Sequence, residues 1–264
     1  MAGRRGYTLI ELVMVIVLLG IVATVSVRFV ALSTRGALDA SARQLRALQS
    51  VVISEQLTRE LREAFPLSVR STGSCIEWLP LKAGTNYLNL TTSEEVDQIE
   101  IAEFAQTPDP SESELRAVVY GYGTSVDDIY TAANPGPVSS VIDNIDDAVT
   151  PIKIEFSPAH RFNTNSPARR LFVVGEPVSV CQSGDFLYRY SGYVPTAIQP
   201  DPPSVTSGVL AEVLAASLSG TAEFQFSPGT LERAAVVQFT FDLESADGNE
   251  TTTVSQEVQI RNVP

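Results

Sequence analysis

Few residues of this chain could carry out catalytic or metal chemistry. The 264 residues include one histidine, His160, and two cysteines, Cys75 and Cys181. A closed zinc site needs four nitrogen or sulfur ligands, so zinc chemistry is almost excluded. No G-x-S-x-G motif marks a serine nucleophile that could work with His160, and we predict a surface or packing role for this histidine. The sequence therefore predicts no catalytic residue and no cofactor.

Acidic residues are the remaining candidate ligands. Asp143, Asp146 and Asp147, or Asp127 and Asp128, could bind Ca²⁺ through carboxylate oxygens, but their spacing lacks the EF-hand pattern. We interpret them as solvated acidic loops and predict no metal site. Eighteen Lys and Arg residues stand against 31 Asp and Glu residues, a formal net charge of -13, which opposes a phosphate backbone. Nucleic acid is therefore not an expected partner.

The first thirty residues differ in composition from the rest. Residues 1–6 read MAGRRG, and the nineteen residues from Leu9 to Val27 are apolar except for Glu11, Thr24 and Ser26. At a rise of 1.5 Å per residue they span about 28 Å, close to the roughly 30 Å of a bilayer's hydrocarbon core. A secretory signal peptide also begins with a basic and an apolar region, but no A-x-A cleavage site follows here. We therefore predict one retained membrane-crossing helix.

Glu11 is the residue of this segment that needs an explanation. A charge costs about 2.5 to 3.5 kcal/mol at the middle of a bilayer and less near its surface. If the chain is cut between Gly6 and Tyr7, Tyr7 becomes a new N-terminus whose ammonium group Glu11 of a neighbouring subunit could neutralise. Burial of that pair would favour assembly over the isolated subunit.

The residues Gly6-Tyr7-Thr8-Leu9-Ile10-Glu11-Leu12, followed by Val13 to Gly20, closely resemble the class III signal of type IV pilins and pseudopilins. The resemblance implies cleavage after Gly6 by a prepilin peptidase, N-methylation of Tyr7, and a role of Glu11 in subunit registration. Tyr7 stands where the family usually has Phe, a conservative change. The partners implied are the peptidase, other pilins and minor pilins, and the inner-membrane platform that assembles the pilus.

Three further stretches narrow the resemblance. The segments 57–66 (LTRELREAFP), 186–193 (FLYRYSGY) and 258–264 (VQIRNVP) are similar to minor pilins of the mannose-sensitive haemagglutinin (MSHA) pilus. This similarity implies a low-abundance structural subunit that acts in pilus biogenesis, initiation or tip assembly. The J-type minor pseudopilin of type II secretion is the nearest alternative. A membrane-anchored periplasmic receptor or enzyme is the alternative from a different class.

The predicted fold is α+β, with a long N-terminal helix packed on a mainly antiparallel β head. Apolar residues at helical spacing continue past the membrane segment, and Pro66 ends the pattern; the spaced residues are Leu45, Leu48, Val52, Leu57 and Leu61. We predict a leader peptide at 1–6, a transmembrane or filament-core helix at 7–29, an amphipathic stalk helix at 30–66 and the β-rich head at 67–264.

Short segments rich in β-branched and aromatic residues follow Pro66 and predict strands. The predicted strands are Cys75–Leu79, Val96–Phe104, Leu115–Tyr120, Ile152–Phe156, Leu171–Val180, Phe186–Tyr190, Ala222–Phe226, Ala234–Leu243 and Thr251–Ile260. The last two are expected to form a hairpin through Asp247-Gly248-Asn249. Long surface loops are predicted at Thr107–Ser113, Ala132–Asp147 and Gln199–Ser207.

Cys75 and Cys181 both follow the membrane segment. Arg4 and Arg5 keep the N-terminus cytoplasmic by the positive-inside rule, so both thiols would reach an oxidising compartment. A disulfide is favoured, with two separate buried thiols as the alternative, and Trp78 is interpreted as a core residue beneath it. The expected location is the bacterial inner membrane, with the head in the periplasm, and after assembly the pilus and cell surface.

Overall fold

The computed structural model describes most of the chain: residues 6–109, 111, 114–205, 208–229 and 233–260. The predicted leader up to Arg5 lies outside the described residues, as do parts of the predicted loops at 107–113 and 199–207 and the last four residues of the chain. The architecture is α+β, as predicted, with one long helix followed by mostly antiparallel sheets. Two compact units are present, Met1–Leu48 and Gln49–Pro264.

Helix α1 runs from Leu9 to Arg62, 54 residues or about 81 Å. It begins two residues later and ends four residues earlier than the helix predicted over 7–66. Arg59 and Arg62 lie in its last turn, where positive charge stabilises the negative end of the helix dipole. Pro66 begins a short 3-10 turn, Pro66–Ser68, so the helix stops before the proline that was expected to end it.

Fourteen strands and a second helix lie within the described residues that follow α1. They are β1 Arg70–Ser71, β2 Cys75–Trp78, β3 Leu81–Asn86, β4 Val96–Ile101, β5 Arg116–Val118, α2 Val126–Tyr130, β6 Val138–Asp146, β7 Ile152–His160, β8 Arg170–Val174, β9 Val178–Ser183, β10 Phe186–Ser191, β11 Leu210–Ala215, β12 Leu218–Ser227, β13 Ala235–Glu244 and β14 Thr251–Ile260.

These strands form three sheets. The first has the order β1-β2-β9-β10-β11, the second β12-β13-β14, and the third β3-β8-β5-β6-β7-β4. Neighbouring strands are antiparallel throughout. The predicted β13–β14 hairpin is confirmed: its register runs unbroken from Ala235 opposite Ile260 to Glu244 opposite Thr251. Gly248 turns the connection with a φ of 71°, a value that glycine adopts without steric cost.

Several strand predictions were wrong. The predicted loop Ala132–Asp147 contains the nine-residue strand β6. The single predicted strand Leu171–Val180 is two strands, β8 and β9, because Gly175-Glu176-Pro177 separates them. Strands β3 and β11 and helix α2 were not predicted at all. The β-rich head therefore contains more strands than the sequence pattern indicated.

The end of α1 packs on the sheets inside the second unit. Ile53, Leu57 and Leu61 share a face at i,i+4 spacing and are buried in one core with residues of β2, β9 and the β12–β14 sheet. Val52 was predicted on this buried face but is 63% exposed, and Ile53 takes its place at 3% exposure.

Candidate functional site

The residues that flank the predicted cleavage point precede the long helix. Gly6, Tyr7 and Thr8 have no regular secondary structure, and Tyr7 is 85% exposed. Within a helix the backbone groups are hydrogen-bonded to one another, whereas the peptide group between Gly6 and Tyr7 precedes the helix. The Gly6–Tyr7 peptide bond therefore lies in exposed, non-helical backbone.

Thr8 caps the N-terminus of α1. Its hydroxyl accepts a hydrogen bond from the backbone N–H of Glu11 at 3.3 Å, and its carbonyl accepts one from the N–H of Leu12 at 3.2 Å. A threonine three residues before a glutamate is the sequence signature of a capping box. Sequence reasoning missed this role, although the T-L-I-E spacing carried the signal.

Glu11 is the third residue of α1 and lies in its first turn. The N-terminus of a helix carries partial positive charge, so a carboxylate there is favourable and an added ammonium group is not. Glu11 is exposed, and no described residue is hydrogen-bonded to or ion-paired with its carboxylate. The carboxylate is thus available to an outside cation close to the residue that cleavage would make the new terminus.

The first unit also contains the apolar run. Within the described residues, Leu9–Arg62 is the one helix long and apolar enough to cross a membrane. The predicted cleavage point, the cap and the acidic first turn all lie at the N-terminal end of that run.

This arrangement coincides with a known family motif. Residues 1–27 match the family model of the prokaryotic N-terminal methylation motif. The motif indicates a type IV pilin-like or pseudopilin-like protein that a prepilin peptidase processes and that assembles with other pilins in the membrane. Together with the single apolar N-terminal helix, it fits a membrane-anchored structural subunit. No curated protein and no solved structure matches the chain.

The two cysteines of this pilin-like chain form a disulfide in the second unit. Cys75 on β2 lies directly opposite Cys181 on β9, with their Cα atoms 4.2 Å apart, and the bond links positions 106 residues apart. Tyr190 and Tyr193 pack around it. The prediction that Trp78 lies beneath the disulfide was wrong, because side chains alternate along β2 and Trp78 is buried in the core on the opposite face.

His160 has a packing role, one of the two roles predicted for it. The side chain is 3% exposed, its Nε2 lies 3.1 Å from the carbonyl oxygen of Gly136, and its ring meets Phe162 edge-on at 4.8 Å. Burial lowers the pKa of His160. The neutral imidazole therefore fits this site, with Nε2–H donating to the carbonyl.

One of the acidic candidates, Asp128, serves local structure. Asp128 and Ser125 form a capping box at the start of α2, in which the Asp128 carboxylate accepts from the Ser125 N–H at 2.8 Å. These hydrogen bonds lower the pKa of Asp128. Within the described residues, the one cluster of three potential metal ligands is Cys75, Cys181 and Asp201. Two of its members are disulfide sulfurs, which are not the thiolates that metals bind.

Proposed function

We propose that the chain is a minor pilin, a low-abundance structural subunit of a type IV pilus of the MSHA kind, most similar to its MshO subunit. It acts in pilus biogenesis, in initiation or at the tip. The pilin part of this proposal rests on the N-terminal methylation motif at residues 1–27, with an exposed Gly6–Tyr7 bond and an acidic first helical turn. The MSHA part rests on the similarity of segments 57–66, 186–193 and 258–264.

The proposed life cycle has two stages. The precursor is inserted in the inner membrane with its β-rich head in the periplasm, and the peptidase removes the leader after Gly6 and methylates Tyr7. The inner-membrane assembly platform then transfers the subunit, with other pilins and minor pilins, into the pilus at the cell surface. In this scheme residues 7–29 form the membrane or filament-core helix, residues 30–66 the stalk, and residues 67–264 the head.

Glu11 has the registration role in this proposal. In the membrane the carboxylate lies near the interface, where water and headgroups limit the cost of its charge. In a filament core made of segments such as Leu9 to Val27, an unpaired carboxylate or ammonium is far more costly. Pairing of Glu11 with the amino group of a neighbouring Tyr7 therefore drives correct docking. No enzymatic activity is proposed, because the role is structural.

The test compares two helix variants in cells that make the pilus. Glu11→Ala is expected to be cleaved and inserted normally but to be depleted from sheared pili, as measured by immunogold labelling with membrane fractionation. Asp39→Ala is the matched control, since it removes an exposed carboxylate elsewhere on α1 and is expected to leave labelling unchanged.

Two results would contradict the proposal. Equal labelling of wild-type and Glu11→Ala filaments would remove the registration role. Absence of the wild-type chain from pili, together with its presence in a secretion pseudopilus, would favour the J-type pseudopilin instead.

A further inference from the structure

The β-rich unit contains a large, half-open cavity of about 1030 Å³. This volume is at the upper end of the range for small-molecule sites, roughly 300 to 1,000 Å³. Its walls come from four separate parts of the chain: the turn after α1, the segment that follows β5, the segment before β8, and the ends of β12 and β13. The residues that line the cavity do not include Gly6, Tyr7 or Glu11.

The cavity walls are fixed by hydrogen bonds and close backbone packing. The Tyr87 hydroxyl donates to the Ser166 carbonyl at 3.1 Å and accepts from the Ser166 N–H at 3.0 Å, which holds one wall in place. A Cβ at Gly121 would come within 2.9 Å of the Asn165 carbonyl oxygen, so the glycine permits that wall to approach. The cavity is therefore largely preformed.

Aromatic and proline rings line much of its surface. Tyr120 stacks on Phe172 with ring centroids 5.8 Å apart, and Tyr122, which also lines the cavity, is 92% exposed. Pro66 and Pro167 add ring surfaces that carry no backbone N–H. Grooves built from aromatic rings are the surfaces on which proline-rich extended peptides dock, because such peptides are already ordered before they bind.

The charge of the lining is opposite to that of the chain. Two arginines and no acidic residue are among the described lining residues, although acids outnumber bases 31 to 18 in the sequence. Arg70 is already engaged with Glu77 and with two backbone carbonyls. Arg170 is half-buried, and no described residue is hydrogen-bonded to or ion-paired with its guanidinium. Arg170 is thus the cation that the cavity offers to a ligand.

We propose that this cavity binds an acidic, proline-rich peptide segment of another protein, with one carboxylate paired to Arg170 and the flanking rings packed on Tyr120 and Tyr122. A guanidinium binds a carboxylate through directed, charge-assisted hydrogen bonds, which fix the register of the peptide. The ring surfaces provide apolar contact area at low entropic cost. This inference does not depend on processing of the N-terminus or on the kind of machine the subunit joins.

The test measures peptide binding to the full chain in the neutral detergent dodecyl maltoside. The probes are the dye-labelled capped peptides Pro-Asp-Pro-Phe and Pro-Asn-Pro-Phe, which differ only in the carboxylate, and binding is followed by fluorescence anisotropy. We expect the Asp peptide to bind at least about tenfold more tightly than the Asn peptide, as a hydrogen-bonded charge pair provides.

Neighbouring arginines give a matched pair of variants. Arg170→Gln is expected to abolish the preference for the Asp peptide. Arg169→Gln is expected to retain it, because Arg169 is exposed and does not line the cavity. Its left-handed φ of 55° is no more strained with Gln than with Arg. Tyr122→Ala, at an exposed position with little effect on folding, should weaken both peptides.

Any one of four outcomes would overturn the proposal. The first is equal binding of the two peptides by the wild type, and the second is an unchanged preference in a folded Arg170→Gln variant. The third is that the two peptides fail to displace each other while phenylacetate binds in an Arg170-dependent manner. This result would make the cavity a site for small aromatic acids. Concentration-dependent dimers abolished by Tyr122→Ala would instead assign the surface to a second copy.

Discussion

Arg70 and Glu77 form an ion pair inside the β-rich unit, at opposing positions of strands β1 and β2. The Glu77 side chain is fully buried, and its other carboxylate oxygen accepts a hydrogen bond from the Tyr193 hydroxyl at 2.9 Å. The Arg70 guanidinium lies 3.6 Å above the centroid of the Tyr130 ring. Burial raises the pKa of Glu77 despite the opposing effect of Arg70. The contacts with Arg70 and Tyr193 thus stabilise the charged form of Glu77, which burial disfavours.

Breaking this pair from either side should destabilise the β-rich unit. Arg70→Met leaves a buried carboxylate without its counter-charge, and Glu77→Gln leaves the guanidinium without its partner. Each should lower the free energy of unfolding by about 3 to 5 kcal/mol. The double variant should cost less than the sum of the two. Urea unfolding of the full chain in detergent measures this through Trp78, the single, buried tryptophan.

The control for these two single variants and the double variant is the more exposed pair of Glu114 and Arg116, whose closest charged atoms are 3.8 Å apart. Glu114→Gln should change the free energy of unfolding by less than about 1 kcal/mol. Strict additivity of Arg70→Met and Glu77→Gln would show that the two side chains are not coupled.

The disulfide should contribute strongly to stability because it links two distant segments. Replacing both Cys75 and Cys181 by Ala is expected to lower the free energy of unfolding by about 2 to 5 kcal/mol, by urea titration. Non-reducing peptide mapping of protein recovered from the periplasm or pilus should find the two peptides linked. Recovery of both thiols free after alkylating lysis would contradict the pairing.

His160 should make stability depend on pH in the mildly acidic range. Its pKa in the folded state is lowered by burial, so between that value and 6.5 the unfolded chain binds a proton that the folded chain does not. The free energy of unfolding should therefore fall as the pH drops below about 6.5, with a slope of at most about 1.4 kcal/mol per pH unit.

The variant His160→Gln isolates this effect, since His160 is the only histidine. Its amide can donate to the Gly136 carbonyl but does not titrate. Thermal unfolding of both proteins between about pH 5.5 and 7.5 should show a steeper loss for the wild type. Parallel profiles would mean that the imidazole titrates alike in the folded and unfolded states.

The long helix was predictable because its determinants are local. The apolar run, the helical spacing of the apolar residues that follow it and Pro66 define α1 to within a few residues. Strand β6 was missed because a register shift between Ile142 and Asn144 interrupts the alternation of buried and exposed side chains. Strand β11 carries the largely exposed sequence LAEVLA, which has no strand pattern, and its pairing with β10 determines its structure.

The candidate functional residues also differ in how local their sequence signals are. Gly6, Tyr7 and Glu11 are almost consecutive, so their pattern can be recognised in the sequence. Arg70 and Glu77 are only seven residues apart, but it is the pairing of β1 with β2 that places them opposite each other. The residues that line the cavity around Arg170 come from distant segments, and the fold brings them together. No spacing along the chain could have predicted them.

The intact mass of the mature chain, from cells that have a prepilin peptidase, is the decisive test of the pilin assignment. The predicted mass is that of the sequence beginning at Tyr7 with one added methyl group, so that Arg4 and Arg5 are lost with the leader. Gly6→Asp should leave the precursor uncut, whereas Gly3→Asp, the matched change within the leader, should be processed normally. A wild-type chain that retains Met1, or that begins at a residue other than a methylated Tyr7, would contradict the pilin assignment.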